Sequence, residues 1–463
     1  MVLLDTTISI LIILFYFILY ITIMIFFLIC IMKFAIHRKK NNNLSLYSSL
    51  AFLHPNFSDF GGGEKVLWEM IKALSLYKKN SNNTNSNPIT KIYILGNNKY
   101  SLSDVQLKLK DIFNISLDKC FFDINTLQVV RLTSTCLLSP KNYITMFLQI
   151  IGQVILAFEI ALKVNSKYIL DTTGLPFTYY LLKLFGFNVS AYIHYPFISN
   201  KMIQDVIHNK NAVHNNLKNK YLIRKILKPL KIMYYKIINE LYKINIKCLS
   251  FAFTNSSWTN NHFNNTDPTN KFNHNVKLAI LYPPCTINEF YPSNEIENKR
   301  IIASKSKSYK HKIVSIAQFR PEKNHIMQVE IIEDLVYKRN IKNIKLNMLG
   351  GARNDNDFAL VNNLKKIIKQ KNLDNHIEIH CNLPFLEIIK MFHQATIGLH
   401  TMKDEHFGIA IIEMMAAGLV TIAHNSAGPK LDIINNLDNY KIGTNGFLAD
   451  SKIFKYDIMF YYR

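Results

Sequence analysis

Two carboxylates stand eight positions apart in KDEHFGIAIIEMMAAG, residues 403–418: Glu405 and Glu413. One chemistry open to such a pair is acid–base work on a bond held between them. The surroundings point elsewhere. Gly408 can open a helix, and residues 409–417 are apolar on every side except at Glu413; a helix apolar all round is expected to be buried. A buried carboxylate needs hydrogen-bond partners or it neutralises. The hydroxyls of a ribose or another sugar meet that need, and a Lys or Arg partner is the other solution. At 1.5 Å per residue Glu413 lies about 7–8 Å up the helix from Gly408. Glu405 precedes the helix, so the two do not share a helical face. They are expected to border one pocket at the helix entrance, where backbone N–H groups attract a diphosphate.

Three further sites carry residues suited to chemistry. Gly61-Gly62-Gly63-Glu64 follows a short apolar run and opens a helical pattern; glycines there admit a close ligand at a helix N-terminus, and they equally suit a tight strand-to-helix turn. His194 and Tyr195 end the apolar run of AYIHYPF, at the carboxyl end of a strand, where open α/β sheets bind ligands. In SIAQFRPEKNH, Arg320 and Lys323 follow another strand; Lys323 stands near a helix start suited to a phosphate, or in a solvated basic loop.

The elements that must position these residues are legible as an alternation. Strand candidates run at 49–54, 91–96, 167–172, 189–196, 249–257 and 276–284, then at 312–319, 344–351, 377–383, 395–401 and 419–426. Helical stretches separate most of them; within 64–77, Leu67, Met70, Ile71, Leu74 and Tyr77 share one face. Continuous apolar strands alternating with helices predict an α/β fold of parallel sheets covered on both faces. A polar stretch at 291–311 reads as the linker between two such domains, and Asn-rich 80–88 and 259–275 read as loops. Residues 143–162 are apolar with one charge, Glu159. A core helix, a span and a helix lying against a membrane all fit; a span would carry the following strands across the bilayer, so a buried or interfacial helix is expected.

The 463 residues suit two domains plus an appendage, and 49% hydrophobic content excludes a disordered chain. The net charge of +23 favours phosphate-bearing or anionic membrane partners, but Lys is abundant even in loops, so charge alone does not argue for nucleic acid. Six cysteines, none in a CxxC pair, predict neither a metal site nor a disulfide framework. Residues 8–32 are 25 positions without a charge, long enough to span a bilayer. Lys33, His37, Arg38, Lys39 and Lys40 follow and only Asp5 precedes, so the bulk of the chain is expected on the cytosolic side. The sequons at Asn114 and Asn188 would then go unused.

Taken together, E-x7-E, the glycine loop and the P-E-K turn resemble family 4 of the retaining glycosyltransferases. HPNFSDFGGGEKVLWEMIKAL, SAYIHYPFIS, TNSSWTNNHF, LYPPCTINEF, QFRPEKNH, LGGARNDND, ATIGLHTMKDEHFGIAIIEMMAAG and AHNSAGPKLDI are similar, within it, to the dolichol-pathway α1,2-mannosyltransferases, over about residues 50–450. The resemblance implies a GT-B fold, two Rossmann-like domains facing across a cleft: an anchor and basic flank at 1–44, an acceptor-side domain at 45–295 and a nucleotide-sugar domain at 296–463. It implies GDP-mannose as donor, no metal or other cofactor, and transfer of the fourth and fifth mannoses to a dolichol-linked oligosaccharide at the cytosolic face of the endoplasmic reticulum membrane, with other mannosyltransferases of the pathway as candidate partners and no nucleic acid. Glu413 would hold the ribose and Glu405 the mannose. Lys323 and Arg320 would neutralise the leaving diphosphate, and His194 would face the reacting sugar. Gly62, Gly63 and Gly408 would admit the donor, and Asn425, Ser426 and Gly428 would line its pocket. The mechanism implied is front-face displacement with retention, the leaving phosphate taking the acceptor proton. Many family members have Arg where Gln318 stands, so Arg320 is expected to serve instead. After GFLAD (446–450) the family continues into further helices, and here 13 residues remain, so those helices are expected to be shortened. Another donor or acceptor, or an inactive partner of the enzyme complex, are the alternatives.

Overall fold

A computed structural model describes residues 29–30, 49–80, 89, 91–97, 101–113, 115–116, 127–138, 146–195, 221–265, 276–285, 287–304, 311–434 and 445–450. The expected span at 8–32 lies outside these residues except for its helical Ile29 and Cys30, as do residues 451–463.

The apolar runs form two all-parallel sheets. The first contains β1 (Ser49–Leu53), β2 (Lys91–Gly96), β3 (Leu127–Arg131), β4 (Tyr168–Asp171), β5 (Asn188–Ile193), β6 (Phe251–Thr254) and β7 (Lys277–Ile280), in the order β3-β2-β1-β4-β5-β6-β7. The second contains β8 (His311–Ile316), β9 (Ile344–Gly350), β10 (Ile377–Cys381), β11 (Ile397–His400), β12 (Val420–His424) and β13 (Phe447–Ala449), in the order β10-β9-β8-β11-β12-β13. In each sheet the chain moves outward for two strands, then returns beside the starting strand. Ala51 is paired with both Tyr93 and Ile169, and Ile313 with both Leu346 and Ile397. The loops leaving β1 and β4, and those leaving β8 and β11, therefore diverge and open a crevice at each carboxyl edge.

The helices bury the sheet faces at the spacing expected. α1 (Gly62–Asn80) places Leu67, Trp68 and Ile71, all 0% exposed, on a core with β1 and β2; α2 is Leu102–Phe113 on the same face. On the opposite face lie α3 (Met146–Lys163), α4 (Tyr179–Leu184) and α5 (Tyr221–Ile246). α6 (Ser257–Asn265) and α7 (Asn294–Ser304) complete the first half; α8 (His325–Glu333), α9 (Asp355–Gln370), α10 (Phe385–Gln394) and α11 (Ile409–Ala416) cover the second sheet.

Four sequence readings change. β3 and β13 are additional strands: LQVVR is a short apolar run interrupted by Gln128 and ended by Arg131, and the three-residue FLA is too short to register alone. Residues 257–265, partly read as loop, form α6, because Thr259 and Phe263 pack inward. The linker holds α7. Residues 146–163 form a helix with Ile150, Leu156, Ala157 and Ile160 in the core. Its lone charge is explained: Glu159 accepts from the backbone N–H groups of Thr133 (2.7 Å) and Ser134 (2.8 Å), from both hydroxyls, and from Lys163 (2.6 Å). Burial works to raise its pKa, and Lys163 and Ser134 overcome that and hold it at about 2.

A buried carboxylate also anchors the carboxyl edge of the first sheet. Asp171, 0% exposed at the end of β4, accepts from the N–H groups of Thr173, Gly174 and Leu175 and from the hydroxyls of Thr173 and Tyr179. Five donors aimed at one carboxylate require its charge. Asp171→Asn is expected to cost about 2–4 kcal/mol by setting an amide NH2 against those donors, and Tyr179→Phe only about 1 kcal/mol; equilibrium urea unfolding measures both.

Candidate active site

The carboxyl edges of the two sheets face each other, and a cavity of about 320 Å³ lies between them. Its wall combines Gly62, Gly63, His194 and Asn255 of the first half with Gln318, Lys323, His400, Glu405, His406 and residues 407–410 of the second.

On the first side a relay of short contacts fixes His194. His54, two per cent exposed just after β1, bonds Thr172 Oγ1 through Nδ1 (2.8 Å) and Glu64 Oε1 through Nε2 (3.3 Å). Glu64 turns back to accept from Gly61 N–H (2.6 Å), capping α1. The Thr172 carbonyl accepts from His194 Nε2 (3.0 Å). A carbonyl only accepts, so that nitrogen carries the proton and Nδ1 is left as the acceptor. Burial lowers the His194 pKa, with Thr172 opposing, so the ring is neutral at pH 7. A Cβ on Gly63 would lie 3.7 Å from His194 Nε2, whereas one on Gly62 would meet nothing within 4 Å. Gly62 thus fronts open space at the helix entrance.

On the second side the centre is Glu405. Its Oε2 accepts from Lys323 Nζ at 2.6 Å and bonds His400 Nε2 at 3.1 Å, with the side chain 13% exposed. Burial raises its pKa, but His400 and Lys323 outweigh that and keep the carboxyl well below the usual range. Lys323 ends the turn Pro321–Lys323, and Asn324 in the left-handed region (φ 55°) redirects the chain into α8. The Thr401 hydroxyl donates to the Lys323 carbonyl (3.0 Å), tying that turn to the end of β11. Gly408, at φ 110°, opens α11, whose first residues Ile409 and Ala410 line the cavity. A side chain at Gly408 would be strained and its Cβ 2.8 Å from Ile411 Cδ1. Lys323, Glu405 and the N-terminus of α11 thus converge on one space, an arrangement able to hold a diphosphate and a sugar.

Several expected residues lie elsewhere. Arg320 is absent from the cavity wall, which Gln318 and Lys323 form instead. Asn425, Ser426 and Gly428 were expected to line the pocket; they stand behind the Glu405 loop and brace it. Ser426 Oγ accepts from Asp404 N–H (2.8 Å), Gly428 N–H donates to the Glu405 carbonyl (3.0 Å), and Asn425 N–H donates to Ala449 O. A Cβ on Gly428 would lie 2.3 Å from the His406 carbonyl, so that loop closes only over glycine. α11 is less deeply set than its composition suggests: Ile411 and Met414 are buried, and the remaining residues are partly exposed beside the cleft. Glu413 is paired with Lys65 Nζ of α1 at 3.5 Å, across the cleft. Burial raises its pKa and Lys65 opposes this.

The domains meet in further contacts that spacing could not reveal. The Asp432 carboxylate accepts from Ser257 N–H (3.0 and 3.1 Å) and Tyr282 Oη (3.0 Å). His406 stacks on Tyr195 at 4.5 Å and on Trp258 at 5.4 Å, and burial pushes its pKa down to about 4. His54, Asp171, His400, His406 and Lys65 escaped the sequence reading; strand-end position was the available signal for His54, Asp171 and His400.

Breaking one partner of the Glu405 pair leaves the other charge uncompensated. Lys323→Met and Glu405→Leu are each expected to cost about 3–5 kcal/mol, and the double variant less than their sum; a double-mutant cycle in urea measures the coupling.

With the geometry in place, comparisons with known proteins become informative. Residues 47–266 match the family description "ALG11 mannosyltransferase N-terminus", and 297–455 match "Glycosyl transferases group 1". The Xenopus tropicalis protein named GDP-Man:Man(3)GlcNAc(2)-PP-Dol alpha-1,2-mannosyltransferase is 33% identical over 432 residues, covering 90% of this chain and 81% of its own. The Homo sapiens protein of that name is 32% identical over 412 residues, covering 87% and 77%. Among solved structures, Anabaena HepE in complex with UDP and glucose superposes with a TM-score of 0.52 at 14% identity, covering 89% of both chains. Sucrose-phosphate synthase from Thermosynechococcus elongatus gives 0.57 at 12%, covering 89% and 88%. At such identities the likeness bears on the fold alone, and that fold is GT-B. Over nine-tenths of its length, and in both halves of the cleft, this chain belongs to the family of the GDP-Man:Man(3)GlcNAc(2)-PP-Dol alpha-1,2-mannosyltransferases.

Proposed function

We propose that the chain transfers mannose from GDP-mannose, with retention and in α1,2 linkage, to a dolichol-diphosphate-linked trimannosyl oligosaccharide, adding its fourth and fifth mannoses at the cytosolic face of the endoplasmic reticulum. The observation that carries this reading is the convergence of Lys323, Glu405 and the α11 N-terminus on one interdomain cavity. That volume lies at the low end of small-molecule sites, about 300–1,000 Å³.

The donor diphosphate sits at the entrance of α11, where N–H groups and the Lys323 ammonium take up charge as GDP leaves. These groups supply the positive charge without a metal. Glu405, held ionised, accepts hydroxyls of the mannose and fixes it for attack from the face that GDP leaves; the leaving phosphate takes the acceptor proton. Neutral His194 presents an acceptor nitrogen to the sugar from the opposite domain. Glu413 accepts the ribose hydroxyls while it keeps Lys65 as its cation, so neither buried charge is left unpaired. The uncharged run at 8–32 holds the enzyme at the membrane of its lipid acceptor and so raises the acceptor's effective concentration.

Membranes carrying the chain are expected to extend a trimannosyl lipid acceptor from GDP-mannose, with UDP-sugars competing poorly; radiolabel transfer measures this, and absence of extension by verified full-length protein would reject the reading. Glu405→Ala should lower kcat by about 10²–10³. Glu413→Ala should mainly raise KM for GDP-mannose, by about tenfold. Steady-state kinetics with the two effects exchanged would reverse the assignment of the glutamates.

A further inference from the structure

One face of the first domain is built as a lipid-contact surface. α3 and α5 cross from β3 to β4 and from β5 to β6, in the same direction across the sheet, so right-handed crossovers place both on one side. Both pack into the same core cluster, and α4 lies between them. The side that α3 turns away from the core is apolar: Phe147, Leu148, Ile151, Ile155 and Leu162 are 41–58% exposed, at three- and four-residue spacing. α5 presents a second such stripe, Met233, Ile237, Leu241 and Ile244, 38–55% exposed. Tyr180 of α4, half exposed, fills the space between, its N–H bonded to Asn245 of α5. Solvent-facing helices of a soluble domain do not carry such stripes without a partner.

We propose that this α3–α4–α5 face rests in the interfacial layer of a bilayer rich in anionic headgroups, with the two helices parallel to the membrane plane. Charge selects the occupant. Over residues 221–247 the sequence has seven Lys or Arg against a single acid, Glu240. Lys236 and Lys247 are exposed beside the α5 stripe, an arrangement that suits anionic headgroups. A second copy packed symmetrically on this face would set those cations against one another. Ile29 also packs against the core cluster that α3 and α5 share. α3 follows β3 in the chain, so Phe147 and Leu148, in its first turn, lie toward the carboxyl edge of the sheet. The placement deepens the proposed function, because it brings the cavity mouth to the headgroup level where a lipid-linked acceptor emerges, yet the contact itself does not depend on which sugar is transferred.

Tryptophan quenching tests the surface on the full chain. Ile155→Trp and Ile237→Trp probe the two stripes, and Leu386→Trp, at a 69% exposed position on α10, is the control. Each is reconstituted into phosphatidylcholine–phosphatidylserine vesicles with or without brominated acyl chains, and circular dichroism confirms the fold. Bromolipid is expected to reduce the added fluorescence about twofold at positions 155 and 237 and little at 386, as for side chains set about 5–10 Å into the interface. Equal quenching at all three positions would overturn the proposal. So would protection at 155 and 237 in a chain that sediments as a dimer, which would assign the face to a second copy. Quenching needs neither donor nor acceptor, so a chain that docks but transfers no mannose would fail the functional reading alone.

Discussion

A carboxylate withdrawn from water keeps its charge only on partners supplied by the fold, and Glu405 is the place where this constraint organises the molecule. Its partners come from separate strand ends: Lys323 from the turn after β8 and His400 from the end of β11. They meet because β8 and β11 are adjacent although 86 residues separate their starts. The loop that carries Glu405 is in turn pinned from below by Ser426 and Gly428, after β12. An ionised Glu405 therefore requires the second sheet to be assembled in its observed order. The fold itself holds this cluster in place, which is the preorganisation that charge stabilisation requires.

The first sheet solves an equivalent problem with hydrogen bonds. Asp171 collects five donors at the end of β4, and the adjacent Thr172 holds both His54 and His194. Thr172 fixes the orientation of the His194 ring, and burial, which lowers its pKa, keeps it neutral. Contacts across the cleft then couple the halves. Lys65 with Glu413, Asp432 with Ser257 and Tyr282, and the Tyr195–His406–Trp258 stack all join residues more than 100 positions apart. Glu413 is the most informative of them: its carboxylate already has a cation, so any ribose must displace or share that partner.

Helix α3 shows how one sequence pattern serves two environments. Its inner residues fill the core between β4 and the neighbouring helices. Its outer residues are equally apolar. The expectation of a buried or interfacial helix at 143–162 is met in its buried part: over Met146–Lys163 one side lies in the protein and the other faces outward.

Composition and periodicity alone determined the two parallel-sheet domains, the helix opening at Gly408 and the strand-end positions of His194 and Lys323. These are local properties: apolar runs, glycine at a positive φ, and proline at a turn each act within a few residues. The missed strands β3 and β13 lie at the edges of their sheets, each paired with a single neighbouring strand. Tertiary structure decided which side chains meet. Arg320 and Lys323 have similar sequence credentials, but only Lys323 reaches the cavity, because the turn after β8 points it toward Glu405. Asn425, Ser426 and Gly428 look like pocket residues and prove to be supports. Lys65 has no local signature, yet it neutralises Glu413 from 348 residues away. Ion pairing and burial depend on distances in space, and spacing along the chain carries that information only within a single element.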